Sequence, residues 1–153
     1  MELIRTISDS APVDGFTLTG GDPMEQPDEL SGLLPQLRRI SGDILLYTGY
    51  TMERLRGIPG ADSILENVSV LIDGEYIERR NNGCPLRGSD NQRVIFLDES
   101  LRRSYEEYMR QGNKIQNFTV GNSVISVGIH GADYPEQLER RLAEKELVAT
   151  PHN

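Results

Sequence analysis

Cysteine is nearly absent. The single thiol, Cys84, excludes an intramolecular disulfide and any metal site built from several thiolates of this chain. Basic charge is also short: 16 Lys and Arg stand against 24 Asp and Glu, a net charge of −8. That balance argues against a sequence-independent grip on nucleic-acid phosphates or on an anionic membrane, and leaves small molecules and proteins as partners. No apolar run approaches the ~20 residues that span a bilayer, and the opening MELIRTISDS lacks the basic and apolar regions of a signal peptide. A cytoplasmic chain is the expectation. Internal repeats and low-complexity linkers are missing too. What is present is ordinary for a soluble globular protein: 37% apolar and 26% charged residues in a length of 153, enough for one core and one domain over 1–153.

The apolar pattern alternates between strand and helix. Leu3, Ile4 and Ile7 predict a short opening helix, broken by Pro12 and Gly15. GFTLTGG reads as a strand that stops at two glycines. Leu30, Leu33, Leu34, Leu37 and Ile40 recur three and four apart, one buried face of a helix from Asp28 to Ile40 that Pro35 should kink or restart. GDILLYTG and VSVLIDG are near-continuous apolar runs, the pattern of strands covered on both faces, with two short helical pieces between them. This alternation predicts βαβ units and a parallel sheet. Residues 74–91 carry turn formers and no period, and so read as a long loop. QRVIFL is a fourth strand, followed by a helix with Asp98 as its N-cap and Leu101, Tyr105, Tyr108 and Met109 on one side. Two strands around Gly121-Asn122 predict a hairpin, a charged helix from Tyr134 to Leu147 closes the fold, and VATPHN is a frayed end.

The turn Gly20-Gly21-Asp22-Pro23 falls at the carboxyl end of the first of these strands, which is where open α/β sheets and α/β barrels bind ligands. Two glycines let a ligand approach the backbone, Pro23 stiffens the turn, and Asp22 is an acceptor better suited to an ammonium than to a phosphate. A plain β-to-α turn explains the same residues. No Gly-Lys-Ser/Thr follows, so this is not a Walker phosphate loop.

GFTLTGGDPMEQ, DILLYTGYTMERL, VLIDGEYI, LRGSDNQRVI and VISVGI, taken in order, resemble the radical S-adenosylmethionine family, and within it most closely the activating enzymes of anaerobic ribonucleoside-triphosphate reductases. The likeness covers about Val13 to about Ile129. It implies a partial (β/α) barrel or open parallel sheet, with a C-terminal hairpin and helix. It also implies that Gly20, Gly21, Asp22 and Pro23 match the Gly-Gly-Glu-Pro turn that holds the amino group of S-adenosylmethionine, with Asp22 replacing the usual Glu. Thr48 and Asp73, at the ends of the next two strands, are either further cofactor-pocket residues or ordinary strand ends.

The family carries a Cys-x-x-x-Cys-x-x-Cys loop after its first strand, which holds a four-iron four-sulfur cluster. That loop is not found in this sequence, and Cys84 lies far downstream. The expectation is an N-terminally shortened relative, lacking the first strand, with no cluster ligands, and with S-adenosylmethionine binding weak or lost. As a family role, the resemblance implies reductive cleavage of S-adenosylmethionine to place a glycyl radical on a reductase, an activity not expected of this chain alone. The alternatives are a non-catalytic S-adenosylmethionine or nucleotide binding module, or an interaction module that pairs through an exposed sheet edge. A glycyl-radical reductase, or a second copy of the chain, is the implied partner. Arg87, Asn91, Gln92 and Arg93 either order the long loop or meet a partner; Cys84 reads as a spare thiol, and His130, without an identified partner, as incidental.

Overall fold

The computed structural model describes residues 4, 6, 12–112, 116–120, 123–127 and 134–144. Most of the expected opening helix, the Gly121-Asn122 turn, His130 and VATPHN lie outside the described residues. Four strands, β1 (Phe16–Leu18), β2 (Ile44–Tyr47), β3 (Val70–Asp73) and β4 (Arg93–Phe96), form one open sheet in the order β1-β2-β3-β4. Its first two pairings are parallel, with Phe16 opposite Ile44 and Leu45 opposite Val70. Between these strands the chain crosses over through helix α1 (Pro27–Arg38) and then through α2 (Met52–Leu55) and α3 (Ala61–Leu65).

Two expectations are corrected here. The fourth strand is antiparallel, with Asp73 opposite Arg93 and Val70 opposite Phe96, and the sheet stays open where a partial barrel of parallel strands was an expected form. The cause is the connection. Residues 74–92 hold one short 3₁₀ turn, Glu78–Arg80, and no crossover helix, so the chain returns along the same edge and runs backwards. The helix around Pro35 also runs unbroken from Pro27 to Arg38. Pro35 removes the hydrogen bond to the carbonyl of Ser31, an exposed residue whose carbonyl water can reach.

The two sheet faces are covered differently. Ile44, Leu46 and Leu71 pack against Leu30, Leu34 and Leu37 of α1 and against Leu55, Ala61 and Ile64, forming the larger core. Leu45, Val70 and Ile72 point the other way, under Leu86 of the long loop and Tyr105 of helix α4 (Arg102–Arg110). Tyr105 meets Phe96 edge-on at 6.1 Å and donates to Asp43 Oδ1 at 2.6 Å, while Tyr108, expected on the same buried side, is exposed. Burial and the Asp43 carboxylate together push the Tyr105 phenol well above its usual range. Asp98 caps the start of this segment through Ser100 N–H at 3.0 Å. Strands β5 (Gln116–Val120) and β6 (Ser123–Val127) form the expected antiparallel hairpin, and α5 (Tyr134–Glu144) follows.

Candidate functional site

Strands β1, β2 and β3 all end on one side of the sheet, so the Gly20 turn, Thr48-Gly49 and Asp73-Gly74 emerge at the same end. Gly20 and Gly21 adopt φ of +85° and +33°, and a Cβ on either would meet nothing within 4 Å. Backbone geometry, and not crowding, therefore demands glycine there, and the turn's peptide groups stay open to solvent.

Asp22 ties this turn to β2. Its carboxylate accepts from Met24 N–H at 3.0 Å, capping the 3₁₀ turn Pro23–Glu25, from the buried Thr48 hydroxyl at 2.9 Å, and from Gly49 N–H at 2.7 Å. A carboxylate offers about four acceptor positions. All four are engaged within the protein, because the Thr48 hydroxyl lies between the two oxygens, 2.9 Å from Oδ1 and 3.0 Å from Oδ2. Beside it, the Tyr50 hydroxyl donates to Glu25, and the Arg54 guanidinium stacks 4.3 Å from the Tyr50 ring centre. The hydrogen bond to Glu25 raises the Tyr50 pKa.

Asp73 is placed at the same end but in a separate network. It is 1% exposed, and its carboxylate accepts from Met52 N–H at 2.8 Å and from both Nε and Nη2 of Arg93. Arg93 continues to Glu53 through two hydrogen bonds of 3.0 and 2.9 Å. That contact lowers the Glu53 pKa to about 2, and the two carboxylates raise that of Arg93. The structure thus brings Asp22 and Thr48 together and gives Asp73 to an arginine. Glu53 and Tyr50 escaped the sequence reading, because neither stands out from an ordinary short amphipathic helix and strand end.

Of the four polar residues left open, three order the long loop, while Arg93 lies in β4 and bonds Asp73 and Glu53. Gln92 accepts from Gly88 and Ser89 N–H and donates to Gly74 O at 2.8 Å, Asn91 donates to Glu75 O, and Arg87 to Gln92 O. Among the described residues, no group of three or more His, Cys, Asp or Glu side chains is placed to hold a metal ion, and no helix is long and apolar enough to cross a membrane.

The 4Fe-4S single cluster domain profile matches residues 1–95, more than half of the chain. The chain belongs to that family. It is 38% identical over 86 residues to the anaerobic ribonucleoside-triphosphate reductase-activating protein of Enterobacteria phage T4, covering 54% of this chain and 53% of that protein. To the protein of the same name from Pasteurella multocida (strain Pm70) it is 38% identical over 88 residues, covering 54% of each. The chain thus spans about half the length of the curated relatives it matches. No solved structure matches it significantly. The family's cluster does not fit the donors present: Cys84 is the only cysteine in the sequence, and it sits in the loop between β3 and β4, away from the glycine turn in sequence and on a different connection.

Proposed function

We propose that this chain is an activase-like protein that binds S-adenosylmethionine at the Gly20–Pro23 turn and acts with an anaerobic ribonucleotide reductase, without assembling the iron-sulfur cluster by itself. The observation that carries the reading is the turn: two left-handed glycines with open backbone groups, at the carboxyl end of a parallel strand, locked by Asp22 onto Thr48 and Gly49 of the next strand. Such a turn presents carbonyls to an ammonium in a fixed geometry, beside the negative charge of Asp22. The relatives' names supply the reductase. Asp22 acts as the lock, since its acceptor positions are filled from within, and adds its negative charge beside the ligand. Thr48 and Gly49 support the turn, and Asp73 stands at the same end of the sheet, held in its own network by Met52 N–H and Arg93.

The open site leaves the contacts in water, which weakens each of them by raising the local dielectric. A dissociation constant on the order of 1 mM follows, equivalent to roughly 4 kcal/mol. Titration calorimetry with S-adenosylmethionine on the wild type and on Gly21→Val tests this. Valine at φ +33° is strained, so the variant should lose the heat signal. Equal signals from the two proteins, or none from either at millimolar ligand, would overturn the reading.

A further inference from the structure

Asp73 is a carboxylate that the fold has buried, 1% exposed at the carboxyl end of β3. A carboxylate taken out of water needs a cation and hydrogen bonds to stand there. Arg93 supplies the cation: its Nε donates to Asp73 Oδ1 at 2.9 Å and its Nη2 to Oδ2. The two residues face each other in the antiparallel register of β3 and β4, so the pair exists because β4 runs backwards. The same carboxylate also accepts from Met52 N–H at 2.8 Å, and the far edge of Arg93 grips Glu53, the next residue, at 3.0 and 2.9 Å. One guanidinium therefore fixes Met52 and Glu53 together. Residues 48–52 are bonded at both ends. Asp22 accepts from the Thr48 hydroxyl and from Gly49 N–H, and Thr48 Oγ1 accepts in turn from Tyr50 N–H at 3.2 Å. The Tyr50 carbonyl accepts from Gly74 N–H at 3.1 Å, beside Asp73. The contacts thus run from Arg93 through Asp73 and residues 48–52 to Asp22, which locks the glycine turn.

We infer that Arg93 is a positioning residue for the glycine-turn site: by neutralising Asp73 it fixes residues 49–52, and through them the Asp22 lock. A guanidinium suits the task because its planar fork serves two carboxylates at once, which an ammonium does not. Taking it away leaves a buried carboxylate without its cation, a cost relieved by opening the Asp73 end to water. Residues 49–52 then lose their anchor, and the Gly49 amide its fixed place against Asp22. Two other roles predict different signs. S-adenosylmethionine carries a sulfonium and an ammonium against one carboxylate, a net positive charge, so an Arg93 acting only through its own charge would give tighter binding when removed. An Arg93 that only held the fold together would lower the melting temperature and leave the affinity unchanged. Positioning predicts weaker binding. This ligand comparison rests on the reading of the turn as an S-adenosylmethionine site; the effect on residues 49–52 does not.

The test compares wild type, Arg93→Gln and Arg93→Lys by nitrogen-15 NMR, with melting curves checking that each folds. Without ligand, hydrogen exchange of the Gly49 and Met52 amides should speed up in Arg93→Gln by about two- to thirtyfold, the span of an ordinary coupling between linked groups. The amide of Ser41, bonded to Leu37 O at the opposite end of the sheet, should exchange as in the wild type. Binding of S-adenosylmethionine should weaken by a similar factor. Arg93→Lys keeps the charge but not the fork, so it should fall between the two in both measurements, and it carries the comparison if Arg93→Gln does not fold. Exchange at Gly49 and Met52 that only keeps pace with Ser41, or binding that is unchanged or tighter in the folded variants, would overturn the inference. A wild type that binds no S-adenosylmethionine would end the reading of the turn as its site, and the exchange rates would then decide the positioning role by themselves.

Discussion

Replacing Asp22 by alanine tests the lock between the first two strand ends. In the native chain the carboxylate satisfies the Thr48 hydroxyl, the Gly49 amide and the Met24 amide. These three donors do not lose equally. Gly49 is exposed, so water replaces its partner at little cost, whereas Thr48 is 4% exposed and its hydroxyl would be left without that acceptor. A buried unsatisfied hydroxyl costs about 1–3 kcal/mol. Loss of the Met24 cap adds about 0.5–1 kcal/mol, the low end of the range, because the capped turn is only three residues long. The sum is about 1.5–4 kcal/mol, or a fall in Tm of roughly 3–16 °C for a domain of this size. Asp22→Asn keeps one oxygen acceptor and should fall between alanine and wild type. Urea unfolding followed by circular dichroism measures both. A loss below about 0.5 kcal/mol for Asp22→Ala would refute the lock, since that is the size of an ordinary surface substitution.

Three further outcomes follow from the same geometry. Glu53 should titrate near pH 2 by carbon-13 NMR of its carboxyl, and Arg93→Gln should return it toward its ordinary value of about 4.5. Because the folded-state pKa is depressed, the stability this contact adds is present above about pH 4.5 and is lost as pH falls toward 2. Leu34→Ala, at a fully buried α1 position against the sheet, should destabilise by about 2–5 kcal/mol in urea unfolding. A value under about 1 kcal/mol would show that α1 does not seat on β2 and β3 as described.

The strands and helices between residues 16 and 73 were legible because each carries a strong local signal. Ile44–Tyr47 is an unbroken apolar run, Val70–Asp73 is apolar up to its last residue, and Leu30, Leu34 and Leu37 mark the buried face of α1. The direction of β4 was not legible. Arg93–Phe96 looks the same read parallel or antiparallel, and what decides it is the absence of a helix in the preceding loop, which turn-rich sequence leaves open. Tyr108 misled because an aromatic at helical spacing implies burial, yet the half-buried Tyr105 is the ring that meets Phe96. At the candidate site, the two glycines were legible from the turn itself. Asp22 was legible as a carboxylate in the right place, but its partners Thr48 and Gly49 lie 26 and 27 residues away, and no local pattern announces a hydrogen bond of that span. Asp73 shows the same limit, since its pairing with Arg93 depends on the register of an antiparallel pair whose direction sequence did not give.

The central claim, an S-adenosylmethionine site at the glycine turn, is tested most directly by two-dimensional nitrogen-15 NMR of the isotope-labelled chain as the ligand is added to about 5 mM, several times the order of the expected dissociation constant. The account predicts shifts that saturate in the millimolar range and are confined to the amides of Gly20, Gly21, Met24, Thr48 and Gly49, the turn and the groups its carboxylate holds. Shifts elsewhere with these five amides unmoved, or no shifts at all, would contradict it.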